Sequence, residues 1–289
     1  MNALIVGAGP AGVAAALELH RRGIPFRIAD RGGVGGMVSS AFWIRNYPGF
    51  PGGIAGDDLA RRLATQLSSA GIEPVRGSVD LEPPATPGAF AATIDGEAVG
   101  CGTVIVATGT SPRLAGFDGE RDLGERLLYD VSQCPAARTA VVIGCGDVAF
   151  DYAATLAQRG VTTTLLCRTA PKAIPFLQEQ VGGLRVEVRV GVEVSKAMIC
   201  DPGAVVLQTG DGVRITTDVV IVAVGRTANR ALLARFDRLD VRSDGRTSVE
   251  GLFLAGDVLH PDLRQVGIAV GDGIRAAAMA AGSIDRSAR

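Results

Sequence analysis

The stretch Ala3-Leu4-Ile5-Val6-Gly7-Ala8-Gly9-Pro10-Ala11-Gly12 decides how this 289-residue chain is read. Four apolar residues in a row suit a strand buried on both faces of a parallel sheet. The glycines that follow make a tight turn (Gly7), admit a pyrophosphate close to the backbone (Gly9), and let a helix pack on the sheet (Gly12). Pro10 and Ala11 open that helix, whose N-terminus offers unpaired N–H groups to phosphates. A second apolar run, Phe26-Arg27-Ile28-Ala29, ends at Asp30. A carboxylate there is placed to accept a hydrogen bond from a ribose 2′-OH.

The same grammar recurs. Thr139-Ala140-Val141-Val142-Ile143 runs into Gly144-Cys145-Gly146-Asp147-Val148-Ala149, then a small-residue helix to Gly160 and the strand Thr162-Thr163-Thr164-Leu165-Leu166. Alanine at the third small position is a permitted variant. No acidic residue closes this second strand; Cys167-Arg168-Thr169 and Lys172 follow it. A cation there favours a 2′-phosphate, so NADP(H) is expected over NAD(H). The plainer reading of Arg168 and Lys172 is solvated loop residues.

Further apolar strands are read at 103–107, 219–224 and 252–255. Mixed stretches at 75–98 and 186–215 read as antiparallel meanders, one in each half. Linkers are placed at 111–119 and 241–247. The expected architecture is therefore α/β: two Rossmann-like, three-layer dinucleotide-binding domains, the second inserted into the first. The domain with the first glycine run is drawn as 1–113 and 244–289, the domain with the second as 114–243. Two dinucleotide sites on one chain suggest electron transfer, with a flavin as one partner.

Composition narrows the field. The net charge is −1 and aromatics are 4%, which gives no footprint for nucleic acid. The apolar start, 1–17, lacks the basic n-region of a signal peptide, and no other run reaches the ~18 apolar residues of a membrane span. Glycine is abundant, 39 residues, or roughly 13% against a typical ~7%. Cys101, Cys134, Cys145, Cys167 and Cys200 show neither C-x-x-C nor zinc-like spacing. No metal site is expected, and a reducing, cytoplasmic compartment is.

These motifs, in this order, resemble the low-molecular-weight thioredoxin-reductase-like flavoproteins from end to end. Gly35-Gly36-Met37 stands where that family has a Gly-Gly pair and a flavin-contacting residue. Asn46-Tyr47-Pro48-Gly49-Phe50 is similar to its flavin loop, and Ala107-Thr108-Gly109 to the close of its first FAD half. Leu254-Ala255-Gly256-Asp257-Val258 resembles the segment whose aspartate binds the ribityl chain. Arg264-Gln265-Val266 and Gly271-Asp272-Gly273 resemble the stretch facing the isoalloxazine. The resemblance implies FAD bound by the domain 1–113 and 244–289, a pyridine nucleotide bound by the domain 114–243, and a homodimer.

One departure stands out. Thioredoxin reductases carry C-x-x-C shortly before the second glycine run, where this chain has Tyr129-Asp130-Val131-Ser132-Gln133-Cys134-Pro135. Thioredoxin is therefore rejected as acceptor at this point. Tyr129-Asp130 and Gly146-Asp147 look more like the ferredoxin–NADP reductases of this fold, which carry a C-terminal cover over the flavin. The chain closes soon after Gln265, so an open flavin face is expected. The expected acceptor is ferredoxin, flavodoxin or a small molecule; the alternative is a flavin-dependent oxidase or dehydrogenase of a small metabolite. Tyr129, Asp130 and His260 are weak catalytic candidates. His20 reads as a helix C-terminal cation, Cys134 as a thiol without a partner, and Trp43 as a packing or interface residue.

Overall fold

The computed structural model describes residues 2–86, 88–200 and 203–287; Met1, part of the apolar start, lies outside them. In chain order the elements are β1 (Ala3–Val6), α1 (Pro10–Arg21), β2 (Phe26–Asp30), α2 (Gly56–Ser69), β3 (Val75–Arg76), β4 (Val79–Leu81), β5 (Phe90–Ile94), β6 (Glu97–Cys101), β7 (Thr103–Val106) and β8 (Thr110–Pro112). Then come β9 (Leu127–Leu128), β10 (Thr139–Ile143), α3 (Asp147–Gln158), β11 (Thr162–Cys167), α4 (Pro175–Gly182) and β12 (Val186–Val190). They are followed by β13 (Val194–Cys200), β14 (Ala204–Thr209), β15 (Arg214–Thr217), β16 (Val219–Val222), β17 (Arg226–Ala228), β18 (Leu252–Leu254) and α5 (Val266–Ser287).

Contacts divide the chain into two units. The first is Met1–Ser39, Trp43–Ser111 and Ala228–Arg289; the second is Ser40–Phe42 and Pro112–Thr227. The first holds a parallel sheet in the order β18-β7-β1-β2-β3, and the second one in the order β12-β11-β10-β16-β9. In each, strand order reverses at the strand that feeds a glycine turn, β1 and β10. Dinucleotides bind at such switch points, beyond the carboxyl ends of the strands. All four residues of β1 are buried, as are all four of β7 and of β16, which explains their unbroken apolar sequence.

Each unit adds a three-stranded antiparallel meander, β4-β5-β6 and β13-β14-β15. Both are shorter than the mixed sequence stretches. Val75–Arg76 pairs in parallel with β2, and Val186–Val190 with β11, so the head of each stretch is the edge of a main sheet. The return to the first unit comes at Ala228 and not at 244, because Leu233 and Phe236 are buried in the first unit's core with Leu4, Val104 and Leu252. Residues 241–247 are accordingly no linker. Val241 bridges Thr247, and Leu254 donates its N–H to the Gly245 carbonyl.

Small residues bring the helices close. Ala11, Gly12, Ala14, Ala15 and Ala16 of α1 are buried, and Gly273 of α5 lies against α1. A Cβ on Gly273 would fall 2.0 Å from the Ala11 carbonyl oxygen. Backbone cannot yield there as a long side chain could. Gly273→Ala is expected to lower the unfolding free energy by about 1–3 kcal/mol, read as a reduced urea midpoint at unchanged m-value.

Candidate dinucleotide sites

The glycines of each turn do different work, and the space around them shows which is which. Gly7 has a positive φ of 110°, and a Cβ there would lie 2.3 Å from the Ala107 carbonyl oxygen. A Cβ on Gly12 would lie 1.8 Å from the Gly7 carbonyl oxygen. Both are required by packing. Gly9 is not: its φ of −70° and ψ of −177° suit any residue, and beyond its chain neighbours no atom of the described residues lies within 4 Å of an added Cβ. Gly9 is also the N-cap of α1, which has no side-chain cap and no acidic residue in its first turn. Free N–H groups and the positive helix end thus face open space, which is what a pyrophosphate needs.

The second turn repeats this. A Cβ on Gly144 would meet the Ala223 carbonyl oxygen at 2.4 Å, and Ala149 is fully buried beneath the turn. Gly146, the N-cap of α3, has φ −98° and ψ −177°, with nothing within 4 Å of an added Cβ. Asp147 does carry a charge into this first turn. Its carboxylate accepts the Ile174 N–H at 2.9 Å, at the start of α4. The residues in both turns fit a dinucleotide.

Around the first turn the chain gathers the other FAD candidates. Gly35 donates its N–H to the Ala8 carbonyl, and a Cβ on Gly36 would touch the Cα of Gly9. A Cβ on Gly256 would meet that of Ala11 at 2.8 Å, so Gly256 and Asp257 stand over the start of α1. Met37 receives a hydrogen bond from Thr110 on its sulfur. Asp30 accepts the N–H of Ala8 at 2.7 Å, of Gly32 at 2.7 Å and of Gly33 at 2.9 Å. Its carboxylate therefore shapes the turn itself as well as closing β2.

Asn229 was not legible in the sequence. Its amide donates to the Thr108 carbonyl, its own carbonyl accepts the Thr108 hydroxyl, and its N–H reaches the Gly109 carbonyl. It clamps the segment after β7 from a loop far away in the chain. Asn46 is exposed in a loop closed by the Ile44–Ile54 bridge. Trp43 donates its indole N–H to the Gly52 carbonyl within that loop. Arg264 donates to the Pro261 carbonyl, just before Gln265 and the first α5 residue, Val266. Among the described residues neither Asn46 nor Arg264 hydrogen-bonds to the glycine turn.

The weak catalytic candidates have structural partners. The Tyr129 hydroxyl donates to Glu120 at 3.2 Å, and burial first, with the Glu120 charge second, pushes its pKa up to about 12. Glu120, itself buried, also accepts the N–H groups of Ala115 and Gly116. Asp130 accepts the Ser132 N–H and the Ser40 hydroxyl. His260 lies 3.6 Å from Asp272, a buried carboxylate that also takes Arg275 at 2.6 Å and the Gly256 N–H. Arg168 is exposed and pairs with Glu193. Lys172 donates its backbone N–H to the Cys145 carbonyl.

Gly9→Ala is expected to fold with stability within about 1 kcal/mol of the parent yet to lose bound flavin, while Gly146→Ala keeps flavin and weakens pyridine-nucleotide binding. Flavin absorbance per protein and nucleotide titration check both. Separately, burial raises the Asp151 carboxyl from 3.8 to about 6, opposed by the Phe42 N–H it accepts. The folded state then holds the proton more tightly than the unfolded chain. Stability from this group is greatest below about pH 4 and falls as pH rises through 6. Asp151→Asn should remove about 1–2 kcal/mol of that fall, seen by comparing urea midpoints at pH 5 and pH 8.

The pyridine nucleotide-disulphide oxidoreductase profile matches residues 1–273. The chain is similar to the thioredoxin reductase of Bacillus subtilis, at 27% identity over 96% of this chain and 92% of that protein. It is also similar to NADPH-dependent thioredoxin reductase 3 of Arabidopsis thaliana, at 29% identity over 96% of this chain; it spans 57% of that relative's length. Among solved structures, Lactococcus lactis thioredoxin reductase superposes with a TM-score of 0.89 at 25% identity, covering 99% of each chain. The structure of T. acidophilum thioredoxin reductase gives 0.86 at 25% identity over 100% of this chain and 99% of that one. These matches overturn the expectation of a ferredoxin, flavodoxin or small-molecule acceptor, and with it the metabolite oxidase. That expectation rested on a missing cysteine pair, the Tyr129-Asp130 and Gly146-Asp147 pairs and an expected open flavin face, whereas the likeness to thioredoxin reductases runs through nearly the whole chain. The pair's absence concerns the route of electrons and does not by itself name another acceptor. The chain belongs to the pyridine nucleotide-disulphide oxidoreductase family, and it is an FAD-dependent NAD(P)H oxidoreductase built on two dinucleotide-binding folds.

Proposed function

We propose that this chain takes electrons from NADPH through FAD to a protein disulfide of the thioredoxin kind. The observation that carries the reading is the pair of open N-cap glycines, Gly9 and Gly146, on matching strand–turn–helix units. The names of the relatives support NADPH and thioredoxin. FAD held there would supply the two-electron chemistry between reduced nicotinamide and acceptor.

The chain's part is to hold and orient. Gly7, Gly9, Pro10, Ala11, Gly12 and Asp30 would receive the FAD pyrophosphate and its adenosine ribose. Gly36, Met37, Asn46, Thr108, Gly109, Gly256 and Asp257 would line the rest. Arg264, Gln265 and Val266 lead into α5, whose positive N-terminus would steady negative charge on the reduced ring. Gly144, Gly146, Asp147 and Val148 would receive the nucleotide pyrophosphate, with Arg168 and Lys172 near a 2′-phosphate.

The described cysteines are all free, and none stand in C-x-x-C spacing. The acceptor's own disulfide is then the one this reading reduces. Burial pushes the Cys134 thiol up, against the pull of Arg159, opposite to the shift that activates a reactive cysteine. A reducing, cytoplasmic setting and a homodimer belong to the same proposal. Among the described residues no helix is long and apolar enough to cross a membrane.

Mixing the flavin-loaded protein anaerobically with NADPH should bleach the flavin band, and added oxidised thioredoxin should restore it. Cys134→Ser is expected to bleach at the parent rate within about twofold, since the thiol lies outside the nucleotide turns. No bleaching by either NADPH or NADH would contradict the reading. Bleaching that thioredoxin does not reverse would contradict the acceptor alone.

A further inference from the structure

We propose that Glu193 sets the nucleotide preference of the second turn by holding Arg168 and by placing a carboxylate where a 2′-phosphate must land. The inference rests on the reading that this turn binds a pyridine nucleotide, and goes beyond it by naming what opposes the phosphate.

The loop 168–172 is fastened to the glycine turn. Lys172 and Ala173 both donate backbone N–H groups to the Cys145 carbonyl, at 2.6 and 3.1 Å, and the Cys145 thiol meets the Thr169 hydroxyl at 3.5 Å. Arg168 follows the last residue of β11, the strand beside the one that feeds the turn. In such a unit that strand end is where the ribose 2′ group is read. Cationic side chains at this point would normally favour a phosphate.

Here the cation is already engaged. The Cys167 carbonyl accepts the N–H groups of Gly191 at 2.8 Å and Val192 at 3.2 Å, folding the segment after β12 over the end of β11. That delivers Glu193, whose Oε1 lies 3.2 Å from Nη1 of Arg168. Both side chains are mostly exposed, so the pair adds little to stability. The fold uses Glu193 through its backbone carbonyl, which accepts the Gly210 N–H at 2.8 Å; the carboxylate is free of that task. A 2′-phosphate approaching Arg168 must displace this carboxylate or sit against it. A 2′-OH can instead donate a hydrogen bond to it. The same side chain therefore weakens one nucleotide and supports the other. Lys172, which forms no ion pair among the described residues, remains as the second cation for the phosphate.

The test is equilibrium binding, by calorimetry on the flavin-loaded protein, of NADP⁺, NAD⁺ and the fragment 2′,5′-ADP. Glu193→Gln should tighten NADP⁺ and 2′,5′-ADP by about three- to fivefold, the scale of one exposed charge contact, and leave NAD⁺ equal or weaker. The gain should shrink as salt is raised. Arg168→Gln should lower the NADP⁺ to NAD⁺ affinity ratio. Unchanged thermal midpoints would show that both variants are folded. A Glu193→Gln protein whose NADP⁺ to NAD⁺ ratio stays at the parent value overturns the inference alone. A parent protein that binds none of the three ligands overturns the nucleotide-binding reading, and this inference with it.

Discussion

The contact on which the rest depends is the carbonyl of Ala107 pressed onto Gly7, repeated by Ala223 on Gly144. Each carbonyl belongs to the residue just beyond a neighbouring strand, and each leaves no room for a side chain. With a Cβ there, the turn would be pushed out of the sheet and the helix behind it would lose its seat. Because the turn stays tight, α1 and α3 start at the mouth of the sheet with their N–H groups outward. Gly12 and Ala149 then let the helices settle close beneath. From this one constraint come both binding edges, each at the strand, β1 or β10, where its sheet's order reverses.

The open glycines make the opposite point. Gly9 and Gly146 have conformations any residue adopts and no protein neighbour for a side chain to strike. Folding does not require glycine at either place; close approach of something outside the chain does. Packing and binding thus divide the glycines of one short motif between them. The charges around the two turns are less alike. Asp30 gives one oxygen to the Ala8 N–H of the first turn and the other to Gly32 and Gly33 just after β2, whereas the second has Arg168 tied to Glu193.

Much of this was legible from residues alone. Short apolar runs gave the central strands because a strand buried on both faces tolerates nothing else, and the glycine spacing gave the two turns. The meander limits were not legible. Val75–Arg76 and Val186–Val190 alternate like solvent-facing strands because they are sheet edges. The return at Ala228 was hidden because Leu233 and Phe236 carry no local sign of which core they enter. Asn229 was missed for a related reason: a polar clamp acts through distant backbone groups. The acceptor was misjudged by giving one absent cysteine pair more weight than a likeness spanning both folds.

Two cradles on one chain imply two different dinucleotides held at once, and that is the claim on which the account stands. Its most direct measurement is binding stoichiometry on the purified protein: flavin from the absorbance of the released cofactor, and pyridine nucleotide by titrating the flavin-loaded form. The account predicts one FAD per chain and one further NADP(H) bound without loss of flavin. A nucleotide that binds only by displacing FAD, or a flavin-loaded protein that takes up none, would contradict it.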